Sequence, residues 1–272
     1  MFASLTNSIV GIMSDLKQRS YTALIIGIPM ICLVLFSDLT RTIFLSLLLI
    51  FCAIEFLTLQ YKNAANKFTF IVPSLLVSGI ALVSSLFDFG IAQYFLYIGL
   101  AFNVVLILDL FFFKNNLLSK TPWITGVLST SIPLATLILL NGQPEFRILV
   151  IGILFIIWIS DISAYAVGRS IGKNKLMPSV SPGKSWEGFI GAGVLCVAAS
   201  FVFFKFLGVL SLQQWMVCAV LIWFFGSIGD LVESKMKRYI GVKDSGTILP
   251  GHGGVFDRID SWLFASPLLL IF

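Results

Sequence analysis

The chain has 272 residues, of which 58% are hydrophobic, 14% aromatic and only 11% charged, with a formal net charge of +5 and a mean hydropathy of +1.01. This lies far outside the range of soluble domains and excludes a water-soluble globular enzyme. The four cysteines, Cys32, Cys52, Cys196 and Cys218, lie far apart inside apolar runs, which argues against a disulfide framework or a zinc knuckle and leaves them as small core residues.

An amphipathic stretch, Leu5 to Leu16, comes first. No small-residue cleavage site follows it, so it reads as an interfacial helix rather than a signal peptide. Nine apolar runs then take the chain to its end, at about 21–37, 42–59, 68–87, 91–113, 123–140, 148–167, 189–210, 215–232 and 259–272. The pattern predicts an all-α polytopic membrane helix bundle of about nine transmembrane helices. The last run, about 14 residues long, is short for a span. Residues 1–146 read as a transmembrane scaffold and 147–272 as a catalytic half with cytoplasmic active-site loops.

Lysine and arginine resist translocation and collect in cytoplasmic loops. With the N-terminus inside, fifteen fall in inner segments and two, Arg41 and Arg147, outside, with Lys205 near the outer end of its run. The N-terminus is therefore expected in the cytoplasm. In this topology Glu55, Asp109, Asp161 and Asp230 lie in the second, fourth, sixth and eighth runs, each within about two helical turns of its inner end. Charged groups inside membrane segments need a partner or a function. For Glu55 and Asp109 the expected role is pairing with a neighbouring helix or with a lysine such as Lys62 or Lys114.

In the sixth run Asp161, Tyr165 and Arg169 share one helical face, as a self-satisfied ladder or as part of a site. The loop that follows, Ser181-Pro182-Gly183-Lys184-Ser185-Trp186-Glu187-Gly188, offers hydroxyls, amides and a lysine suited to phosphate oxygens. Gly183-Lys184-Ser185 is not a P-loop, because Pro178 stands where that motif needs glycine and no strand precedes it. The last loop is densest in charge: Ser234 to Arg238, then Lys243 and Asp244, then Pro250 to Asp260. Its cations, Lys235, Lys237, Arg238, Lys243 and Arg258, suit phosphate monoesters or a triphosphate at the membrane surface. Asp257 and Asp260 share a face at the mouth of the last run, with Asp230 on the neighbouring helix, a hard carboxylate set suited to Mg²⁺. Gly251, Gly253 and Gly254 let the backbone approach a ligand closely. His252 between them reads as a phosphate contact or loop-ordering residue rather than a base, since a phosphate nucleophile is already an anion.

Ser234-x-x-Lys237-Arg238-x4-Lys243-Asp244 followed by Pro250-Gly251-His252-Gly253-Gly254-x-x-Asp257-Arg258-x-Asp260 resembles the signature of phosphatidate cytidylyltransferases, the CDP-diacylglycerol synthases. Asp161-x-x-Ala164-Tyr165-x-x-Gly168-Arg169 and Ser181-Pro182-x-Lys184-x-Trp186-Glu187-Gly188 are similar to two further blocks of that family; Gly183 departs from it, where a second lysine is common. The resemblance implies transfer from CTP to phosphatidic acid, giving CDP-diacylglycerol and pyrophosphate, with Mg²⁺ and room for a second cation, in a homodimer with no nucleic-acid partner. Asp230 and Asp257 are the foremost metal-ligand candidates, with Asp260 and Asp161 next. Lys237, Arg238, Lys243 and Arg258, with Asp244 and His252 in the same motif, are expected around the reacting phosphates. Asp161, Tyr165, Arg169, Ser181, Lys184, Trp186, Glu187, Gly253 and Gly254 are expected to bind substrate. The rival reading is a cation- or proton-coupled transporter using Asp109, Asp161 and Asp230, but it predicts internal repeats that the sequence lacks. A CDP-alcohol phosphotransferase would carry an Asp-Gly-x-x-Ala-Arg hallmark, which is absent.

Overall fold

The computed structural model describes residues 27–60, 68–87, 90–113, 122–141, 145–246 and 253–271. In chain order the helices are α1 (Gly27–Phe36), α2 (Asp38–Gln60), α3 (Phe68–Phe87), α4 (Ala92–Phe112), α5 (Pro122–Gly126), a π-helical turn (Val127–Ser131) and α6 (Ile132–Leu140). Then come α7 (Phe146–Ile171), β1 (Lys175–Met177), β2 (Ser181–Ser185), α8 (Trp186–Leu207), α9 (Leu212–Ile240), α10 (Phe256–Ala265) and a 3₁₀ turn (Ser266–Ile271). The chain is thus a helix bundle. Among the described residues five helices, α2, α4, α7, α8 and α9, are long and apolar enough to cross a membrane; α1, α6 and the apolar middle of α3 give shorter stretches. The expected interfacial helix, Leu5 to Leu16, lies outside the described residues.

Polar residues set the helix ends. Ser37 precedes α2 and exchanges bonds with Thr40, its hydroxyl accepting from the Thr40 amide at 3.1 Å while its own amide donates to Thr40 Oγ1 at 3.0 Å. Ser185 caps α8 by accepting from the Gly188 amide at 3.2 Å. Ser211 opens α9 in a reciprocal capping box with Gln214, and Gly241 closes it in the left-handed region at φ +82°. The serines satisfy N–H groups at the helix starts, and the Gly241 amide satisfies the Lys237 and Arg238 carbonyls at the end of α9. Arg41, expected in an outer loop, instead lies in the first turn of α2 and is buried. It donates to the Val34 carbonyl, Asn141 Oδ1 and Asp38, tying α1 and α2 to the end of α6.

α7 packs on α8, α8 on α9 and α9 on α10, while α2, α3, α4 and α6 pack on one another. Lipid provides no hydrophobic drive between helices, so close approach of small residues matters. Gly188 shows this at the α7–α8 crossing: a β-carbon there would stand 2.6 Å from the Ala164 carbonyl oxygen and 3.0 Å from Gly168 Cα. Gly193 lies under the Trp223 ring, whose indole N–H donates to the Phe189 carbonyl at 2.8 Å. Cys52, Cys196 and Cys218 are buried, whereas Cys32 is exposed.

Two features depart from the sequence expectation. The segment before α8 is a small antiparallel hairpin, β1 against β2, with Lys175 opposite Ser185 and Met177 opposite Ser181. The eighth run, expected to end near 232, continues as helix to Ile240, so Ser234 to Arg238 form the last turns of α9 rather than a loop. The hydropathy drops at Glu233 but helix propensity does not, because Glu, Lys, Met and Arg are strong helix formers.

Candidate active site

The polar residues converge on one cavity of about 580 Å³. α7 contributes Asp161 and Tyr165, the hairpin Ser181 and Lys184, α9 Asp230, Glu233 and Lys237, and α10 Asp257, Arg258 and Asp260, with Asp244 at the rim. Asp230, Glu233 and Lys237 share a face of α9 because they are spaced three and four apart. Lys184 Nζ reaches across to Asp230 Oδ2 at 2.6 Å and donates to the Ser227 carbonyl at 3.3 Å. This contact locks the hairpin to α9.

The acids divide into two groups. Asp230, Glu233 and Asp260 each bring a carboxylate oxygen within 4.8 Å of the others. Glu233 is buried and its Oε1 has no hydrogen-bond partner among the described residues. An all-oxygen set with an orphaned buried oxygen fits a hard divalent cation such as Mg²⁺. Asp257 is engaged differently: Oδ1 takes Lys237 Nζ at 2.7 Å, and Oδ2 takes the amides of Ser245 at 2.8 Å and Gly254 at 2.9 Å. Burial alone would raise the Asp257 carboxyl, but its interactions with Glu233, Lys237 and the two amides outweigh burial and hold it down to about 2. Gly253 is required for this arrangement, having φ +80° with a β-carbon position that would overlap Asp257 Oδ2.

Lys237 stands between the groups, 2.9 Å from Glu233 Oε2 and 2.7 Å from Asp257 Oδ1. Its three N–H donors are largely committed to protein. Lys184 and Arg258 therefore present the more accessible cations of the cavity wall: both line it, and Arg258 is exposed.

Other expected site residues stand apart from the cavity wall. Arg169 donates to the Tyr165 hydroxyl at 2.7 Å on the exposed side of α7, where only Tyr165 also borders the cavity. Glu187 accepts from the Asn174 side chain at 2.8 Å and from its amide at 3.1 Å, bracing the hairpin against α8. Trp186 is exposed and stacks edge-on to Phe189. Arg238 turns to the Val242 carbonyl at 2.8 Å, closing the end of α9, and Lys243 is exposed. His252 lies outside the described residues; Gly254 is buried.

Sequence reasoning passed over Glu233 as a site residue, although its spacing from Asp230 and Lys237 on one helix signals it. It also left Ser245 unremarked, whose amide binds Asp257. Asp109 pairs with Lys235 on α9 at 2.7 Å, a neighbouring-helix partner; Lys62 and Lys114 lie outside the described residues.

A bundle of apolar helices enclosing an acid- and cation-lined chamber defines a multi-pass membrane protein with a charged pocket. More narrowly, the chain belongs to the cytidylyltransferase family, whose model matches residues 17–272. It is 48% identical over 118 residues to the phosphatidate cytidylyltransferase of Staphylococcus haemolyticus. It is 47% identical over 122 residues to that of Staphylococcus saprophyticus and 47% over 118 residues to that of Staphylococcus aureus. In each case the aligned stretch covers 43% of this chain and 45% of the relative, so less than half the length of these relatives is matched.

Proposed function

We propose that the protein is a phosphatidate cytidylyltransferase, transferring the cytidylyl group of CTP to phosphatidic acid with release of pyrophosphate. The observation that carries the reading is the cavity lined by Lys184 and Arg258 together with Asp230, Glu233 and Asp260, inside a bundle of helices long and apolar enough to cross a membrane. Membership of the cytidylyltransferase family and the names of its relatives support it. Nothing supports the transporter alternative.

In this mechanism the lipid phosphate attacks the α-phosphorus of CTP in line, and pyrophosphate leaves. The attacking oxygen is already anionic, so no general base is needed. Two anions repel, which makes neutralisation and alignment the main tasks. Lys184 and Arg258 hold phosphate oxygens from opposite walls. Asp230, Glu233 and Asp260 hold Mg²⁺, which supplies charge neutralisation for the triphosphate when bound. Lys237 and Asp257 keep this set in register: Lys237 orients Glu233, and Asp257 orders both Lys237 and the loop ahead of α10. Asp161, Tyr165 and Ser181 shape the remaining wall.

The catalytic half is 147–272 and the scaffold 1–146. The lysine and arginine bias supports nine spans with the N-terminus in the cytoplasm, a multi-pass cell-membrane location and an active site facing the cytosol, where CTP is dissolved. Phosphatidic acid then enters from the inner leaflet, and the working unit is a homodimer.

The deciding experiment is a mixed-micelle assay of purified protein with labelled CTP, phosphatidic acid and Mg²⁺, following label into the organic phase and repeating with EDTA. Labelling that requires both lipid and metal is the expected result. No labelling by a demonstrably folded sample, across nucleotides and chain lengths, refutes the proposal.

A further inference from the structure

The loop ahead of α10 is fastened at its base by a side chain far away in sequence. Glu55, near the end of α2, is 4% exposed. Its carboxylate accepts from the Val255 amide at 2.9 Å, the Phe256 amide at 2.8 Å and the Ser245 hydroxyl at 3.3 Å. Val255 and Phe256 open α10, and Val255 offers no side-chain cap of its own. Glu55 therefore satisfies N–H groups that the helix end leaves unpaired, and its charge meets the positive end of the helix dipole.

Ser245 lies at the other side of the same loop. Its hydroxyl is held by Glu55 and its amide by Asp257, while Asp257 also holds Gly254. Two carboxylates, Glu55 from α2 and Asp257 from α10, thus clasp Ser245 to the start of α10. The fit is tight: a β-carbon at Gly246 would stand 2.8 Å from Glu55 Oε1, and one at Gly254 would overlap both Glu55 Oε2 and Ser245 Oγ.

We propose that Glu55 is a positioning residue for nucleotidyl transfer, setting the register of the first turn of α10, from which Asp257, Arg258 and Asp260 reach the cavity. The inference rests on the function proposed above. Glu55 is not part of the cavity wall, and it acts through the backbone of Ser245, Val255 and Phe256. Glutamine at this position keeps the volume but retains a single acceptor oxygen and turns an NH₂ toward donor N–H groups. It therefore loosens the clasp without opening a void.

The test compares Glu55→Gln with the full-length protein in micelles by turnover, thermal melting and amide hydrogen exchange, with Ser245→Ala as a second variant that leaves α2 intact. Expected is a kcat lower by about 10- to 100-fold, with KM for CTP within about twofold. Faster exchange should be confined to Val255, Phe256 and the flanking loop, with melting near wild type. Ser245→Ala should move the same readouts in the same direction by less. Wild-type kcat in Glu55→Gln, or unchanged exchange at Val255 and Phe256, overturns the proposal. So does a uniform rise in exchange across α2, α9 and α10, which would make Glu55 a general stabiliser. Should the parent protein fail to transfer cytidylate, the function proposal falls, while the exchange comparison still decides whether the clasp exists.

Discussion

Lys237→Met probes the centre of the charged cluster. Methionine approximates the length of the lysine stem but removes both contacts of Nζ, at 2.9 Å to Glu233 and 2.7 Å to Asp257. The lysine side chain is 10% exposed and the two carboxylates 4% and 5%, so both buried carboxyl groups would be left without their cation and poorly hydrated. Removing one member of a buried ion pair costs about 3–5 kcal/mol, most of it the penalty on the partner left behind. At roughly 2–4 °C per kcal/mol for a chain of this size, melting should fall by about 6–20 °C. If the leftover charge is the cause, adding Glu233→Gln to Lys237→Met should recover a large part of that loss. Turnover should stay below wild type in the double variant, which has also lost a carboxylate assigned to the metal. The assay is thermal unfolding of purified protein in one detergent, followed by tryptophan fluorescence, with turnover measured in parallel. A single variant melting within about 2 °C of wild type, or a double variant less stable than the single, would refute the reasoning.

Asp230→Asn and Glu233→Gln should each shift the Mg²⁺ activation curve to at least about tenfold higher concentration; an unshifted curve removes that residue from the metal set. Asp230→Asn should melt near wild type, its partner Lys184 being partly exposed, whereas Glu233→Gln also breaks the buried pair with Lys237 and should melt lower. Asp257, held at about 2 against about 3.9 for an unfolded chain, contributes stability that is fully present above pH about 4 and is lost as pH falls through about 2. The stability gap between wild type and Asp257→Asn should accordingly narrow over that window, and a gap independent of pH in equilibrium unfolding would show that the Asp257 charge is not responsible. Gly188→Ala should cost about 1–3 kcal/mol by forcing α7 and α8 apart, read as a lower melting temperature; no change would mean that the crossing has slack.

Much of the architecture is visible in hydropathy, because each apolar stretch must satisfy its backbone internally and so becomes helical. The run at 68–87 coincides with α3. Hydropathy fails where a helix leaves the apolar phase, as in α9 beyond Val232, since the boundary of a run marks a change of solvent and not of backbone conformation. The hairpin was hidden because three- and five-residue strands carry too few alternations to register. At the site, spacing on one helix grouped Asp161 with Tyr165 and Asp257 with Asp260. Which of these acids are already consumed by protein partners depends on distant segments: Glu55 meets Val255 across 200 positions, and Lys184 meets Asp230 across a hairpin and a helix. No local pattern encodes such meetings. Glu233 differs, being legible from its position between Asp230 and Lys237, and it was hidden only by the assumption that the helix had ended.

The length of α9 bears on how the protein sits in a bilayer. Twenty-nine residues make a rod of about 43 Å, against a hydrocarbon core of about 30 Å. Asp230, Glu233 and Lys237 are all on that one rod. A change in its tilt, as bilayers of different thickness impose, carries the three together toward or away from the headgroup plane with their mutual spacing intact. On the function proposed above, lipid thickness would act on the meeting of the site with a lipid phosphate while leaving the geometry of the acid cluster untouched, so that the bilayer itself would become a control on encounter rather than on chemistry.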